Sequence, residues 1–243
     1  MIRRISFEGP VNFRDIGGYP LAGGGMTRWR AVYRSDSLHH LTQDDLLAFD
    51  ALGVKAIYDL RRPDELARYP GPRGHVHLEI QGGDLRKAPL AGLRTRQEGQ
   101  EWLAADYLSM LAQAAPAFGN LLTRLADGSE LPAVVHCLGG KDRTGMAIAL
   151  LLTALGADRG IVLDDYELTS VCHASRVPDV VEEFAGLGIA RPVAEGLLST
   201  PRWAMAQALS ELDQAHGGIE RYLLGPGGMP PGTLTTLRTS LTS

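Results

Sequence analysis

The stretch Leu131-Pro132-Ala133-Val134-Val135-His136-Cys137-Leu138-Gly139-Gly140-Lys141-Asp142-Arg143-Thr144-Gly145 changes character twice along its length. Residues 131–137 (LPAVVHC) form a short apolar run that reads as a buried strand. The glycines and the charges after them make a tight loop, and 144–155 reads as a buried helix closed by Gly156. A strand passing through such a loop into a helix turns successive backbone N–H groups toward one point and adds the positive end of the helix, which together make an anion site. Arg143, six positions after Cys137, brings a planar fork for two oxygens of a phosphate. The same field favours the thiolate of Cys137 and makes it a nucleophile at the floor of the cradle.

Outward from this stretch the chain alternates strand and helix signals. The glycine-rich 22–25 reads as a turn, and 26–33 (MTRWRAVY) alternates as a strand does. Thr42 is placed to cap a helix whose first turn holds Asp44 and Asp45 and which Gly53 closes. Residues 54–60 (VKAIYDL) and 75–80 read as strands. Between 98 and 126, Leu103, Tyr107, Leu111, Phe118, Leu122 and Leu125 recur near the helical period. Pro116 is expected to split that stretch, since it has no N–H and crowds the turn before it. Beyond 157 the pattern is helical throughout, with starts at Val177-Pro178 and Thr200-Pro201 and a break at Gly217-Gly218. The expectation is an α/β fold, a mostly parallel central sheet flanked by helices, in a single domain over 1–243 whose residues 157–243 form a helical tail or cap.

Composition narrows the function. Of 243 residues 44% are hydrophobic and 21% charged, with a net charge of −4, which excludes a disordered chain and a nucleic-acid binder with a broad basic face. No apolar run approaches the roughly 18–20 residues of a membrane-spanning helix. The N-terminal MIRRISFEGP lacks an apolar segment after its basic residues, so neither integral membrane association nor signal-peptide export is expected. Two cysteines, Cys137 and Cys172, cannot form a disulfide scaffold and suggest a reducing, cytoplasmic setting, with secretion lacking a signal peptide as the alternative. The oligomeric state is not readable.

His136 to Gly145 (HCLGGKDRTG) resembles the signature loop of cysteine-dependent phosphatases, and its GKDRTG version is similar to that of bacterial tyrosine and phosphoinositide phosphatases of the mycobacterial tyrosine phosphatase B type. Three further stretches carry the resemblance: Asn12-Phe13-Arg14-Asp15-Ile16-Gly17-Gly18, Tyr33-Arg34-Ser35-Asp36-Ser37-Leu38, and Tyr58-Asp59-Leu60-Arg61 followed by Glu65. A looser match is Asp165-Tyr166-Glu167-Leu168-Thr169. Gly139 stands where the family often has alanine, a departure expected to loosen the loop slightly. The resemblance implies a protein-tyrosine-phosphatase-like domain that acts on phosphorylated protein, with a dual or triple specificity that includes phosphoinositides, and that needs no metal or other cofactor.

Chemistry assigns the roles. Cys137 would attack phosphorus to give a phosphocysteine, while Arg143 and the amides of Leu138, Gly139, Gly140 and Lys141 hold the equatorial oxygens. Thr144 could hydrogen-bond the sulfur as it leaves. The resemblance implies Asp142 as general acid, and Asp59 at a strand end is the competitor. Lys141 is a point charge able to reach a second phosphate, or to pair with Asp142. His136 should face away from the sulfur and brace the loop. Arg14 and Asp15 line the site or brace the sheet. Trp102, Tyr107 and Met110 form a lid or pack in the core. His75 and His77 share a strand face but lack a third metal ligand, His39-His40 reads as a solvated turn, and Cys172 as a packing thiol. A catalytically weak phosphate-binding module and a sulfur-transfer or arsenate-reducing enzyme are the competing functions.

Overall fold

In the computed structural model, which describes residues 3–72, 74–82 and 90–243, the apolar run around Val134 becomes the middle strand of one sheet. The strands are β1 (Arg14–Asp15), β2 (Val32–Ser35), β3 (Ala56–Asp59), β4 (Val76–His77) and β5 (Ala133–His136), in spatial order β1-β2-β5-β3-β4. β1 pairs antiparallel with β2, and the other pairings are parallel. Ser35, His136 and Asp59 therefore sit side by side at one edge, where β2, β5 and β3 all end. The carboxyl edge of a parallel sheet is where α/β proteins build their sites.

Alternation along the strands separates two cores. Val32, Ala56, Tyr58, Ala133 and Val135 face a large core filled by helices, including α5 (Asp142–Leu155). Tyr33, Ile57 and Val134 face a smaller one with Phe13, Leu38 and Phe49, where α1 (Gln43–Asp50) packs. The remaining helices are α2 (Pro63–Arg68), α3 (Arg96–Gln113), α4 (Ala115–Ala126) and, beyond α5, α6 (Arg159–His173), α7 (Val177–Gly186), α8 (Arg191–Leu198), α9 (Arg202–His216), α10 (Ile219–Leu224) and α11 (Thr233–Leu241). The helical C-terminal region is as expected.

Several boundaries differ from the sequence reading. The strand expected over 26–33 is short and late: Arg30 takes a positive φ of 57°, its N–H held by Asp15 Oδ2 at 2.8 Å, so the extended run restarts only at Val32. The strand expected over 75–80 is regular only at Val76–His77, although Leu78 N–H and Ile80 N–H still donate to Asp59 O at 2.9 Å and Leu60 O at 3.3 Å. The stretch over 98–126 does split beside Pro116, as expected: α3 ends at Gln113, and Pro116 lies in the first turn of α4, where its missing N–H is no loss. Thr42 caps α1 as read, with Asp45 N–H donating to Thr42 Oγ1 at 3.2 Å and Thr42 N–H to Asp45 Oδ2 at 3.1 Å. Met1 and Ile2 of the N-terminal segment lie outside the described residues.

Candidate active site

Cys137 follows β5 directly and is buried, 2% exposed. The loop after it is gripped from outside by its carbonyls. Ser37 N–H donates to Leu138 O at 2.9 Å and His173 Nε2 to Gly139 O at 2.8 Å. Gly140 O accepts from Arg34 at 2.7 Å and from Asn12 Nδ2 at 3.0 Å. In a trans peptide the C=O and the following N–H point opposite ways, so three carbonyls drawn outward turn the N–H groups of Gly139, Gly140 and Lys141 inward. Asp142 opens α5, whose first-turn N–H groups have no intrahelical partner and face the same space. The result is a ring of donors above the sulfur.

Gly140 makes this turn possible. Its φ is +62°, and a Cβ there would stand 2.3 Å from Ser35 O. The loop backbone thus lies against the end of β2, closer than any side chain permits.

The grip on the carbonyls is itself braced. Asp165 of α6 accepts from Arg14 Nε at 3.1 Å, from Arg34 at 2.5 Å and from Tyr19 Oη at 2.9 Å, all buried. Burial opposes the charge on Asp165, but the two guanidinium groups hold its carboxyl far below the usual range. Arg34 is pulled down by burial and by Arg14, with Asp165 opposing. Asp36 adds a second brace, its carboxylate accepting from Val11 N–H at 3.2 Å and Asn12 N–H at 3.0 Å. Arg14 and Asp15 therefore brace and do not line the cradle: Asp15 takes Gly17 N–H at 2.8 Å beside Arg30.

Arg143 is fixed by a carboxylate from α2. Its two terminal nitrogens reach Glu65 Oε2 at 2.5 Å and Oε1 at 2.8 Å. Burial works against the guanidinium charge, but the Cys137 sulfur and Glu65 outweigh it and raise its pKa further. Burial likewise pushes Glu65 up, and Arg143 pulls it below its ordinary value. Asp59 is used in the same way. Arg61 Nε lies 2.9 Å from its Oδ1 and a terminal nitrogen 2.6 Å from its Oδ2, and its carboxyl is held below the usual range against the effect of burial. An ionised carboxylate with both oxygens occupied is no proton donor, so Asp59 drops out as general acid. His136 is fully buried, with Nδ1 3.2 Å from Cys137 O and Nε2 3.7 Å from Asp59 Oδ2.

Asp142 lies on the rim, 22% exposed, with Oδ1 accepting from Tyr107 Oη at 2.6 Å and ion-paired with Lys141 Nζ at 3.2 Å. Lys141 takes the second of its two readings, the pair with Asp142, and its ammonium also turns to the C-terminal carbonyls of α8, contacting Leu197 O and, at 3.1 Å, Ser199 O. The side chain thus ties the loop to α8 while its charge faces Asp142, and it is turned away from a second phosphate. Thr144 Oγ1 is buried without a hydrogen-bond partner among the described residues, and no bond to Cys137 is formed.

Sequence reading missed the carbonyl grips of Asn12, Arg34, Ser37 and His173 and the clamp by Glu65. All but His173 lie inside motifs already quoted, so the signal was present without its meaning. Tyr107 and Met110 are buried in the core and Trp102 packs against it, so α3 is a wall and not a lid. His39 is no solvated turn: it stacks on Tyr69 at 4.7 Å and contacts Ser37 Oγ at 2.7 Å, and burial lowers its pKa to about 4. His75 and His77 contact Pro72 O at 3.0 Å and Arg61 O at 2.7 Å. Among the described residues no three His, Cys, Asp or Glu side chains are grouped to hold a metal ion.

The loop, its N–H groups turned inward, thus lies at the carboxyl edge of a parallel sheet beside a buried cysteine. A family model described as "Tyrosine phosphatase family" matches residues 5–243. A protein of Cupriavidus necator, provisionally named a tyrosine-protein phosphatase, is 28% identical over 226 residues, covering 90% of this chain and 82% of that protein. A tyrosine-protein phosphatase of Nostoc commune is 29% identical, covering 81% and 69%. The triple specificity protein phosphatase PtpB of Mycobacterium tuberculosis is 27% identical, covering 90% and 92%. The solved Siw14 catalytic core aligns with TM-score 0.41 and 14% identity over 77% of this chain and 99% of that one. The protein is a phosphatase. The chain belongs to the tyrosine phosphatase family, and its activity is that of a protein-tyrosine phosphatase.

Proposed function

We propose that this phosphatase works through a phosphocysteine on Cys137. The sulfur attacks phosphorus in line, the bond to the leaving oxygen breaks, and that oxygen takes a proton from Asp142. Water then attacks the phosphocysteine, giving its proton to the Asp142 carboxylate as the S–P bond breaks, with Thr144 near enough in sequence to assist the departing sulfur. Arg143 and the N–H groups of residues 138–143 carry the charge of the equatorial oxygens. The observation that supports this most is the outward anchoring of the Leu138, Gly139 and Gly140 carbonyls, which presents their neighbours' N–H groups to a tetrahedral dianion.

Substrates are phosphorylated proteins, phosphotyrosine first. The proposed range extends to phosphoserine, phosphothreonine and phosphoinositides, and the Mycobacterium tuberculosis relative is named a triple specificity protein phosphatase. A cytoplasmic location fits two unpaired cysteines, and no helix among the described residues is long and apolar enough to cross a membrane.

One experiment tests cysteine and acid together. Hydrolysis of p-nitrophenyl phosphate and of an alkyl phosphate is compared in wild type, Cys137→Ser and Asp142→Asn, with chelator present. Cys137→Ser should abolish both. Asp142→Asn should lose about 10²-fold or more on the alkyl ester and far less on the activated one. A Cys137→Ser enzyme that still turns over rules out the phosphocysteine.

A further inference from the structure

Asp142 is held by a chain of two buried phenols that the mechanism above does not use. Tyr107 of α3 lies 2.6 Å through its Oη from Asp142 Oδ1, and 2.6 Å from Tyr166 Oη of α6. A carboxylate oxygen accepts only, and Tyr107 has one hydroxyl proton, so that proton goes to Asp142. Tyr166 must then donate to Tyr107, and the chain runs one way, Tyr166 to Tyr107 to Asp142. Both phenols are buried, and burial and the nearby Asp142 charge raise their pKa values, so each keeps its proton. The rings stand edge to face, 6.1 Å apart at 85°, and Gly145 makes room: a Cβ there would meet the Tyr166 ring at 3.2 Å.

The consequence lies in which oxygen remains open. Tyr107 and Lys141 both bind Oδ1, and no hydrogen bond engages Oδ2 among the described residues. With Oδ1 pinned from the core side and the side chain partly exposed, the carboxyl is oriented so that a proton on Oδ2 points to the open side of the loop. We propose that Tyr107, supported by Tyr166, is a positioning residue that fixes the carboxyl rotamer of Asp142 so that Oδ2 faces the leaving oxygen. This rests on the reading of Asp142 as general acid. An acid set within a rigid loop has no mobile segment to bring it into line, so its orientation must come from a neighbour, and Tyr107 is the one built into the core.

The test is a double-mutant cycle read through the leaving group, using Tyr107→Phe, Tyr166→Phe, Asp142→Asn and Tyr107→Phe/Asp142→Asn on p-nitrophenyl phosphate and an alkyl phosphate. Tyr107→Phe should lower kcat on the alkyl ester about 10-fold, the rate equivalent of one charge-assisted hydrogen bond. KM and the vanadate inhibition constant should stay at wild-type values, and p-nitrophenyl phosphate should be little affected. In the Asp142→Asn background the same substitution should cost nothing further. Equal losses on both esters, or a full additional loss in the Asp142→Asn background, overturn the positioning role. Should Tyr107→Phe fail to fold, Tyr166→Phe carries the test: a smaller loss confined to the alkyl ester supports the chain, and an unchanged leaving-group dependence overturns it. Asp142→Asn losing equally on both esters would instead remove the general-acid reading, and this inference with it.

Discussion

Glu65 shows how one carboxylate decides what a guanidinium can do. An unpaired Arg143 would sample many rotamers, whereas Glu65 binds both of its terminal nitrogens and leaves a fixed fork toward the loop. Glu65→Gln should retain the fold, weaken vanadate inhibition and lower kcat/KM about 10²-fold, the order seen when one oxyanion donor is lost. Steady-state kinetics with vanadate competition checks this, and an unchanged vanadate constant would mean that Arg143 is held by something else. Cys137 and Arg143 were legible from their spacing only together with the glycines and the strand-loop-helix frame around them. Glu65 was legible only as part of a motif, because its partner lies 78 positions away and no local pattern links them.

Adjacent glycines in the loop between β5 and α5 have opposite requirements. Gly140 has positive φ, and its missing Cβ is what allows the loop to lie on the end of β2. Gly139 has open space around its Cβ position. Gly140→Ala should therefore abolish phosphate-ester hydrolysis and cost stability. Gly139→Ala should retain activity and stabilise by about 0.4–1 kcal/mol, through the lost freedom of the unfolded chain. Thermal melts beside p-nitrophenyl phosphate turnover separate the two, and equal damage from both would contradict the geometry. The departure from alanine at Gly139 is accordingly tolerable. At this scale the loop and the helices were readable from sequence. Strand limits were not: β2 is as long as its pairing with β5, β4 pairs with only two of the four residues of β3, and Arg30 turns the chain where alternation alone predicts a strand.

Across the whole molecule, the buried ion cluster behind the loop links N-terminus, sheet and helical tail: Arg14 from β1, Arg34 from β2 and Asp165 from α6. The sign of its pH dependence follows from Asp165. Its folded carboxyl is held below the unfolded value of about 3.9, so the folded state binds fewer protons as pH falls past that point. The stability it contributes is fully present above about pH 4 and is lost progressively below. Asp45, Asp59 and Glu65 act in the same direction, while burial raises Asp15 and opposes them. His39, His40, His136 and His173 add to the acid loss, since burial holds each below its ordinary imidazole value, so resistance to denaturant should decline gradually as pH falls below about 6.5 and steeply below about pH 4. Asp165→Asn should flatten that acid slope and lose about 3–5 kcal/mol at neutral pH, since it leaves two buried guanidinium groups without their counter-ion. An unchanged acid slope in Asp165→Asn would place the pH dependence elsewhere.

By itself the sequence determined the α/β class, the cysteine loop, its arginine and the family, because strand-loop-helix order and six-residue spacing are local facts written in consecutive residues. Only the tertiary structure decided which groups hold the loop carbonyls outward, that Asp59 is spent on Arg61, that Lys141 is turned to α8, and that two phenols from α3 and α6 reach Asp142. Those pairings join residues tens to more than a hundred positions apart. They exist only when the packed core brings their helices together, and no periodicity along the chain records them.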